Sequence, residues 1–333
     1  MNRGRLAIAV LLVLALLLPH GLRGTQIEFA IEVMTTGMFA LSLNILIGRL
    51  GLISFGHGLF LGVGAYLAGF MLPHLTQNLF ALLAAAVVAG MLLSVVVGML
   101  VLRLGGVGFV MITISLCQLA YVAVLSAYQW TGGINGISSL PRPVLWSGAG
   151  ATEWASLDSD KTFYHVALVA LVGLLYLLHR LDASPMGAVF AGIRQNAARM
   201  AALGYPVRRF QLIGFVMAGT VASVAGALQA SLFNLVEPGI LFWTFSGEVI
   251  LMVILGGVAS LYGPLVGAAL FLALFHYLAL LTDHWRLLLG TVFVVVVLFA
   301  PGGLVPLVRD GWRRWRARKP AATRAAALEG EPR

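Results

Sequence analysis

The sequence predicts an all-α polytopic membrane protein of about ten transmembrane helices, some of them short or discontinuous. Three observations carry this. Of the 333 residues, 60% are hydrophobic and only 10% charged, against roughly 45–50% and about 25% in soluble domains. Mean hydropathy is +0.98, built from repeated runs close to the ~20 residues that cross a ~30 Å hydrocarbon core. Those runs are rich in Leu, Val and Ala and lack the period-two alternation of a closed β-barrel. The formal charge of +9 is not a nucleic-acid signature, because the basic residues gather in loops and the C-terminal tail. The single cysteine, Cys117, lies in an apolar run and allows neither an intrachain disulfide nor a structural zinc site.

The order of elements follows from where the apolar runs break. Within residues 1–26, Arg3 and Arg5 precede an apolar core from Leu6 to Leu18, like a signal peptide. Pro19, His20 and Gly21 follow in place of a small-residue cleavage site, so the segment reads as an uncleaved first span. Residues 27–308 form the polytopic domain. Short basic loops stay cytoplasmic, and threading by that rule starts the N-terminus inside. Ile27–Ile47 returns inside at Arg49, the next span runs out to Leu72, and the fourth comes back at Arg103. Gly108–Tyr128 leads to an outer loop, 129–162, where Trp130, Trp146 and Trp154 suit the membrane interface and Glu153, Asp158 and Asp160 add acid. Phe163–His179 lands loop 180–209 inside, and Phe210–Phe233 leaves again. Ser246–Leu281, broken at Gly263 and Pro264, needs an even number of crossings if a last span, Leu287–Val305, is to end inside. The tail, 309–333, is basic near the membrane, then rich in Ala, Glu and Pro and predicted to be disordered. Both termini are thus predicted cytoplasmic.

Loop 180–209 carries Arg180, Arg194, Arg199, Arg208 and Arg209 against a single acid, Asp182. Inside it the sequence predicts one self-contained helix, with Ser184 as N-cap, Pro185 as first helical residue, and Gly204 with Pro206 as the stop. A capped basic helix between two spans is placed to touch a cytoplasmic partner.

Ser54–Tyr66, SFGHGLFLGVGAY, has glycines at 56, 58, 62 and 64. Small residues four apart let helix backbones approach closely in lipid. The other reading is a Gly-rich turn that breaks a helix and lines a solute path, since irregular backbone at membrane depth is tolerated only against protein or water. Gly58 and Gly62 have a counterpart in Gly263 and Gly267, too little to define a repeat. Polar residues within spans are few: Ser42, Asn44, Thr113, Ser115, Gln118, Ser223, Gln229, Glu248 and His276. Carboxylates there are essentially limited to Glu248, which either complements a helix dipole or faces an aqueous path. Asn44, Ser54, His57, Gln118 and Glu248 are the candidates for path or gate, although a lone His such as His57 is more often a packing residue.

No catalytic set emerges. The sequence has no Gly-x-Ser-x-Gly elbow, no His-Glu-x-x-His pair and no Gly-x-x-x-x-Gly-Lys phosphate loop, so nucleotide energy must come from another chain. An intramembrane enzyme would have to pair Glu248 with His276 or His57. A self-sufficient ion-coupled carrier would be expected to carry more buried charge.

Four segments together resemble the permease subunits of branched-chain amino-acid ABC importers: Asn44–Tyr66 (NILIGRLGLISFGHGLFLGVGAY), Thr131–Pro143 (TGGINGISSLPRP), Ser184–Gly204 (SPMGAVFAGIRQNAARMAALG) and Gly247–Leu270. The likeness covers roughly residues 30 to 307. It implies a non-catalytic, pore-forming subunit in the bacterial inner membrane. Its implied partners are a second homologous permease, two cytoplasmic ATP-binding subunits that hold the ATP, and a periplasmic substrate-binding protein; no cofactor, metal or nucleic acid belongs to the chain itself. By the same resemblance Arg194, Gln195, Asn196, Arg199, Leu203 and Gly204 belong to the helix that couples to the ATPase. Thr131, Gly132, Gly133, Asn135 and Gly136 would help dock the binding protein, although glycines there also suit a plain turn. Relatives of this kind carry acids in the coupling loop where this chain has Ala197, Ala198, Arg199, Met200, Ala201 and Ala202. The ATPase groove is therefore expected to be acidic or apolar. Branched-chain or related amino acids are the implied solutes, with urea, short-chain amides and aromatic acids as alternatives on the same architecture.

Overall fold

The computed structural model describes residues 15–145, 157, 159–282, 284–300 and 302–308. Most of the predicted first span, the loop residues Trp146, Glu153, Trp154 and Asp158, and the tail 309–333 lie outside the described residues. Among the described residues the fold is helical apart from one two-residue strand pair.

Helix α1, Gly24–Asn44, continues as a π-type turn over Ile45–Leu50 and is stopped by Gly51 at φ 73°. An extended stretch then leads to α2, Gly58–His74. Asn78 caps α3, Leu79–Val101, its Oδ1 accepting from the Phe80 amide at 2.9 Å. Helix α4, Val107–Ser126, follows Gly106 at φ 56°. After the outer loop come α5, Asp160–Asp182, then α6, Pro185–Gln195, α7, Ala197–Ala202, and α8, Val207–Phe233. Asn234, at φ 51°, turns the chain into a second connecting stretch, extended over Leu235–Val236 and wound into a 3-10 turn over Pro238–Leu241, that leads to α9, Trp243–Gly256. Helices α10, Gly263–Leu281, and α11, Trp285–Phe299, complete the bundle. Strand β1, Ile137–Ser138, pairs antiparallel with β2, Leu235–Val236, so the outer loop is stitched to the second connecting stretch.

Helices α1 and α8 form the centre. In α1 every residue from Met34 to Asn44 is buried, whereas α4 fully buries only Phe109, Thr113 and Cys117. Helix α8 packs on α1, α2 and α3, while α1 packs on α5, α9 and α10. Contacts at the helix ends fix the directions. Arg49 at the end of α1 bonds Asp182 at the end of α5 at 2.6 Å and 2.9 Å, so these two helices run parallel. Gly214, in the second turn of α8, packs on Leu50, and Gly69 near the end of α2 packs on Ile137 and Val236, so α8 runs the other way. The order long helix, connecting stretch, short helix, then two helices therefore occurs twice, as α1–α4 and α8–α11, in opposite directions. Small residues make the close approaches. A Cβ on Gly64 would strike the carbonyl of Ser223, and one on Gly226 would strike that of Leu61, which locks α2 to α8.

Two expectations change here. Among the described residues six helices are long and apolar enough to cross a membrane, and three apolar ones are shorter; helix length therefore does not establish the predicted ten. Of the shorter helices, α2 and α9 are each preceded by a non-α connecting stretch. The second change concerns the repeat. The counterpart of α2 is α9 and not the helix that begins at Gly263; Gly263 and Gly267 instead let α10 pack on Gly256 and Met252 of α9.

Candidate functional site

The N-termini of α2 and α9 meet inside the bundle. The amide of Gly58 donates to Ser246 Oγ at 2.8 Å, and Cys117 Sγ donates to the Leu241 carbonyl at 3.0 Å. His57, the residue before α2, is fully buried and stacks on Phe39 at 5.3 Å, which stacks on Phe245 of α9 at 5.9 Å. Ser42 Oγ gives its one proton to the Phe39 carbonyl at 2.6 Å, so at 2.8 Å it must accept from His57 Nε2. That leaves His57 Nδ1 a bare acceptor, buried with no partner, as are Ser54 Oγ and Gln118 Oε1. Buried polar atoms without partners are rare, and here they gather where two helices begin. The glycine run makes close backbone approaches, Gly56 and Gly58 abutting the carbonyls of Thr113 and Ile240, and the helix starts within the run, at Gly58.

Asn44 is elsewhere, at the α-to-π switch of α1. It lines a cavity of about 590 Å³ with Arg49, Asp182, Arg194, Gln195 and the turn 258–261. Its Oδ1 is buried and has no partner. The roof of this cavity is α6. Ser184 caps α6 as predicted, accepting from the Gly187 amide at 3.3 Å, and Gly204, at φ 88°, ends the pair. The predicted single helix is instead two. Asn196 adopts an extended backbone and caps α7 with its own side chain, which accepts from the Arg199 amide at 2.9 Å. Phe190 and Ile193 are buried beneath α6, and the Arg194 guanidinium reaches back to the Gly48 carbonyl. Every residue from Ala197 to Leu203 except Met200 is exposed. Arg103, Arg208 and Arg209 line a further groove at this end beside Arg194, so these four basic residues share one end of the bundle.

Glu248 faces a third place. A cavity of about 460 Å³ is enclosed by α1, α8, α9 and α10. Besides Glu248 it is lined by Glu32 of α1 and by Glu237 of the second connecting stretch. This corrects the expectation that Glu248 is essentially alone within the spans. Glu32 interrupts the apolar run Phe29–Val33, its side chain is 17% exposed, and His276 Nε2 lies 3.7 Å away. The interruption was visible in the sequence, because an acid at mid-span costs at least ~2.5–3.5 kcal/mol on insertion scales. His276 is thus beside Glu32, and the acid–base pairing of His276 with Glu248 is not formed. Glu248 lies in the second turn of α9 and not the first, which weakens the dipole reading.

At the opposite end from α6, Gly132, Gly133 and Gly136 all take positive φ. Thr131 Oγ1 donates to the Val124 carbonyl at 2.6 Å and accepts from the Gly133 amide at 3.2 Å, which leaves Asn135 exposed at the tip. The five path candidates therefore fall in three places: Ser54, His57 and Gln118 around the helix junction, Asn44 under α6, and Glu248 in the acidic cavity. Among the described residues no group of three or more His, Cys, Asp or Glu could hold a metal ion.

A bundle with two inverted halves, broken helices and cavities at both ends has the form of a transport protein. Residues 26–297 match the family described as branched-chain amino acid transport system / permease component. The chain belongs to this family. It is 27% identical over 321 residues, 92% of this chain and 76% of the relative, to the high-affinity branched-chain amino acid transport system permease protein LivM of Escherichia coli (strain K12). It is 23% identical over 297 residues, 81% of this chain and 91% of the relative, to the permease protein LivH of the same system and organism. No solved structure matches the chain. In this permease the matched region ends inside α11, so all three places described above fall within it.

Proposed function

We propose that this permease is the path-forming subunit of an ATP-driven importer for branched-chain or related amino acids in the bacterial inner membrane. It works with a second permease, two cytoplasmic ATP-binding subunits and a periplasmic binding protein, and performs no covalent chemistry. The observation that carries this reading is the α6–α7 element. It is capped at both corners and anchored by Arg194 on α1, with α7 and Leu203 facing solvent. A rigid, anchored helix transmits a partner's displacement as a body, which suits coupling to an ATPase through Arg194, Gln195, Asn196, Arg199, Leu203 and Gly204. The solvent face of α7 is mostly alanine, so the ATPase groove is expected to be apolar with an acid opposite Arg199. With this element in the cytoplasm, α1 and α5 run inward, the Thr131–Gly136 turn is periplasmic, and the spans number about ten with the first one. Alternation between outward and inward openings is then a two-state equilibrium that ATP binding biases.

The test is co-purification with candidate ATPase subunits, followed by uptake of labelled leucine into proteoliposomes with each candidate binding protein. Uptake that requires both ATP and a binding protein is the expected result. Uptake by this chain alone, driven by an ion gradient and indifferent to ATP, would overturn it.

A further inference from the structure

We infer that the acidic cavity between α1, α8, α9 and α10 is a site for the protonated amine of an amphipathic solute, entered from the end that bears the Thr131–Gly136 turn. Its walls divide by chemistry. Glu32, Glu237 and Glu248 line it, and no Lys or Arg does. Among the described residues, His276 lies 3.7 Å from Glu32 outside the wall, and Arg286 is close enough to act on the charge of Glu248. Neither cancels three carboxylates. Phe245, Phe271 and Phe275, with Met252, make up most of the apolar wall. Rings of this kind attract a cation through their faces and an alkyl group through their area.

A second observation points to a ligand independently of the acids. Thr36 lines the same cavity, is only 4% exposed, and its hydroxyl has no hydrogen-bond partner among the described residues. A hydroxyl held at the wall of a cavity without a partner is a group waiting for a polar atom of whatever fills it. At about 460 Å³ the cavity lies within the roughly 300–1,000 Å³ of small-molecule sites. Its mouth is at Leu235 and Glu237, both exposed and next to the strand pair that carries the outer turn. A solute released at that turn meets carboxylates first and rings second, which selects a primary ammonium on an apolar skeleton over an organic anion of the same shape.

This inference rests on the amino-acid importer reading and narrows it, because aromatic acids fit such a wall poorly. The test uses the assembled importer in nanodiscs of phosphatidylcholine and phosphatidylglycerol, which carry no primary amine. Thr36→Cys and, separately, Gln229→Cys put a thiol on the cavity wall, with the native Cys117 buried and partner subunits free of cysteine. The measurement compares modification rates by a cationic ethylammonium and an anionic ethylsulfonate methanethiosulfonate. The cationic reagent is expected to react at least tenfold faster, and the ratio to fall toward one when Glu32→Gln and Glu248→Gln are added. Leucine and 3-methylbutylamine should slow the reaction, and 4-methylpentanoate should not. Equal rates for the two reagents, no reaction of either thiol in the folded assembly, or equal protection by the carboxylate analogue would overturn the site. If ATP-dependent uptake fails while the charge preference and amine protection hold, the transport reading falls and the site stands. If uptake holds and the preference is absent, only the site falls.

Discussion

Helices α2 and α9 occupy corresponding positions in the two inverted halves, yet they are held in different ways. Helix α2 is wedged by backbone. Its glycines 58 and 64 abut the carbonyls of Ile240 and Ser223, and ten of its seventeen residues are buried. Helix α9 has its closest backbone approach at its far end, where Gly256 meets Gly263; its first turns bond α2 through Ser246 but also face a cavity through Phe245 and Glu248. Inverted copies of one arrangement have thus diverged into a fixed wedge and a wall that something can approach. A path with one immobile and one accessible side needs less of the protein to move when its openings alternate.

The largest test of that difference is steric. Gly64→Val drives side-chain atoms into the Ser223 carbonyl, which cannot retreat as a side chain would; a loss of about 3 kcal/mol or more is expected. It should appear as loss of the monodisperse peak in size-exclusion chromatography of detergent extracts. Gly247→Ala on α9 meets only the Phe55 ring, at 3.5 Å, and should change stability by no more than about 0.5 kcal/mol. Similar behaviour of the two variants would remove the distinction. Next in size is Arg194→Glu, which breaks the tie between α6 and the Gly48 carbonyl. A hydrogen bond from a charged group is worth roughly 1.5–3 kcal/mol, so ATP-dependent uptake should fall about tenfold or more while the bundle stays folded. Unchanged uptake and ATPase association would show that α6 moves independently of α1.

Smaller again is Ser42→Ala, which leaves His57 Nε2 without its acceptor beneath the wedge. A cost of about 1–3 kcal/mol is expected for the orphaned donor, read as a lowered melting temperature of the purified permease. Asp182→Asn should matter least. Its partner Arg49 is mostly buried, but Asp182 itself is 41% exposed, and partly exposed pairs contribute about 1 kcal/mol or less. The readout is the salt dependence of melting, which the variant should lose.

The crossing helices were legible in the sequence because apolar length and loop charge are one-dimensional signals. Loop 180–209 stood out between two apolar runs through its arginines, and the caps at Ser184 and Gly204 were read from residue type alone. The corner at Asn196 was missed although its signal was present, an Asn followed by three residues of helix formers. The break before α2 was half legible, because the glycines at 56 and 58 suggested it, whereas 234–242 was not, because it joins the interior only by lying along helices distant in sequence. The acidic cavity was half legible. Glu248 stood out, Glu32 was passed over within an apolar run, and Glu237 belongs to the wall only because β2 brings its strand back beside α2. The separation of Asn44 from Ser54 and His57, ten and thirteen residues away, depends on the π turn and Gly51, which no spacing rule anticipates.

Helix α5 stands between the two halves and belongs to neither among the described residues. Each described half contributes four helices, an even number, so two copies joined directly would face the same way. The single extra helix α5 is what turns the second half over. During synthesis it is therefore the decision point: a ribosome that has threaded α5 the wrong way commits every later helix, and the α6–α7 element with them, to the wrong face of the bilayer. The arginines at 180, 208 and 209 all lie at one end of that helix, and on this view they are there to be counted before the protein is folded at all.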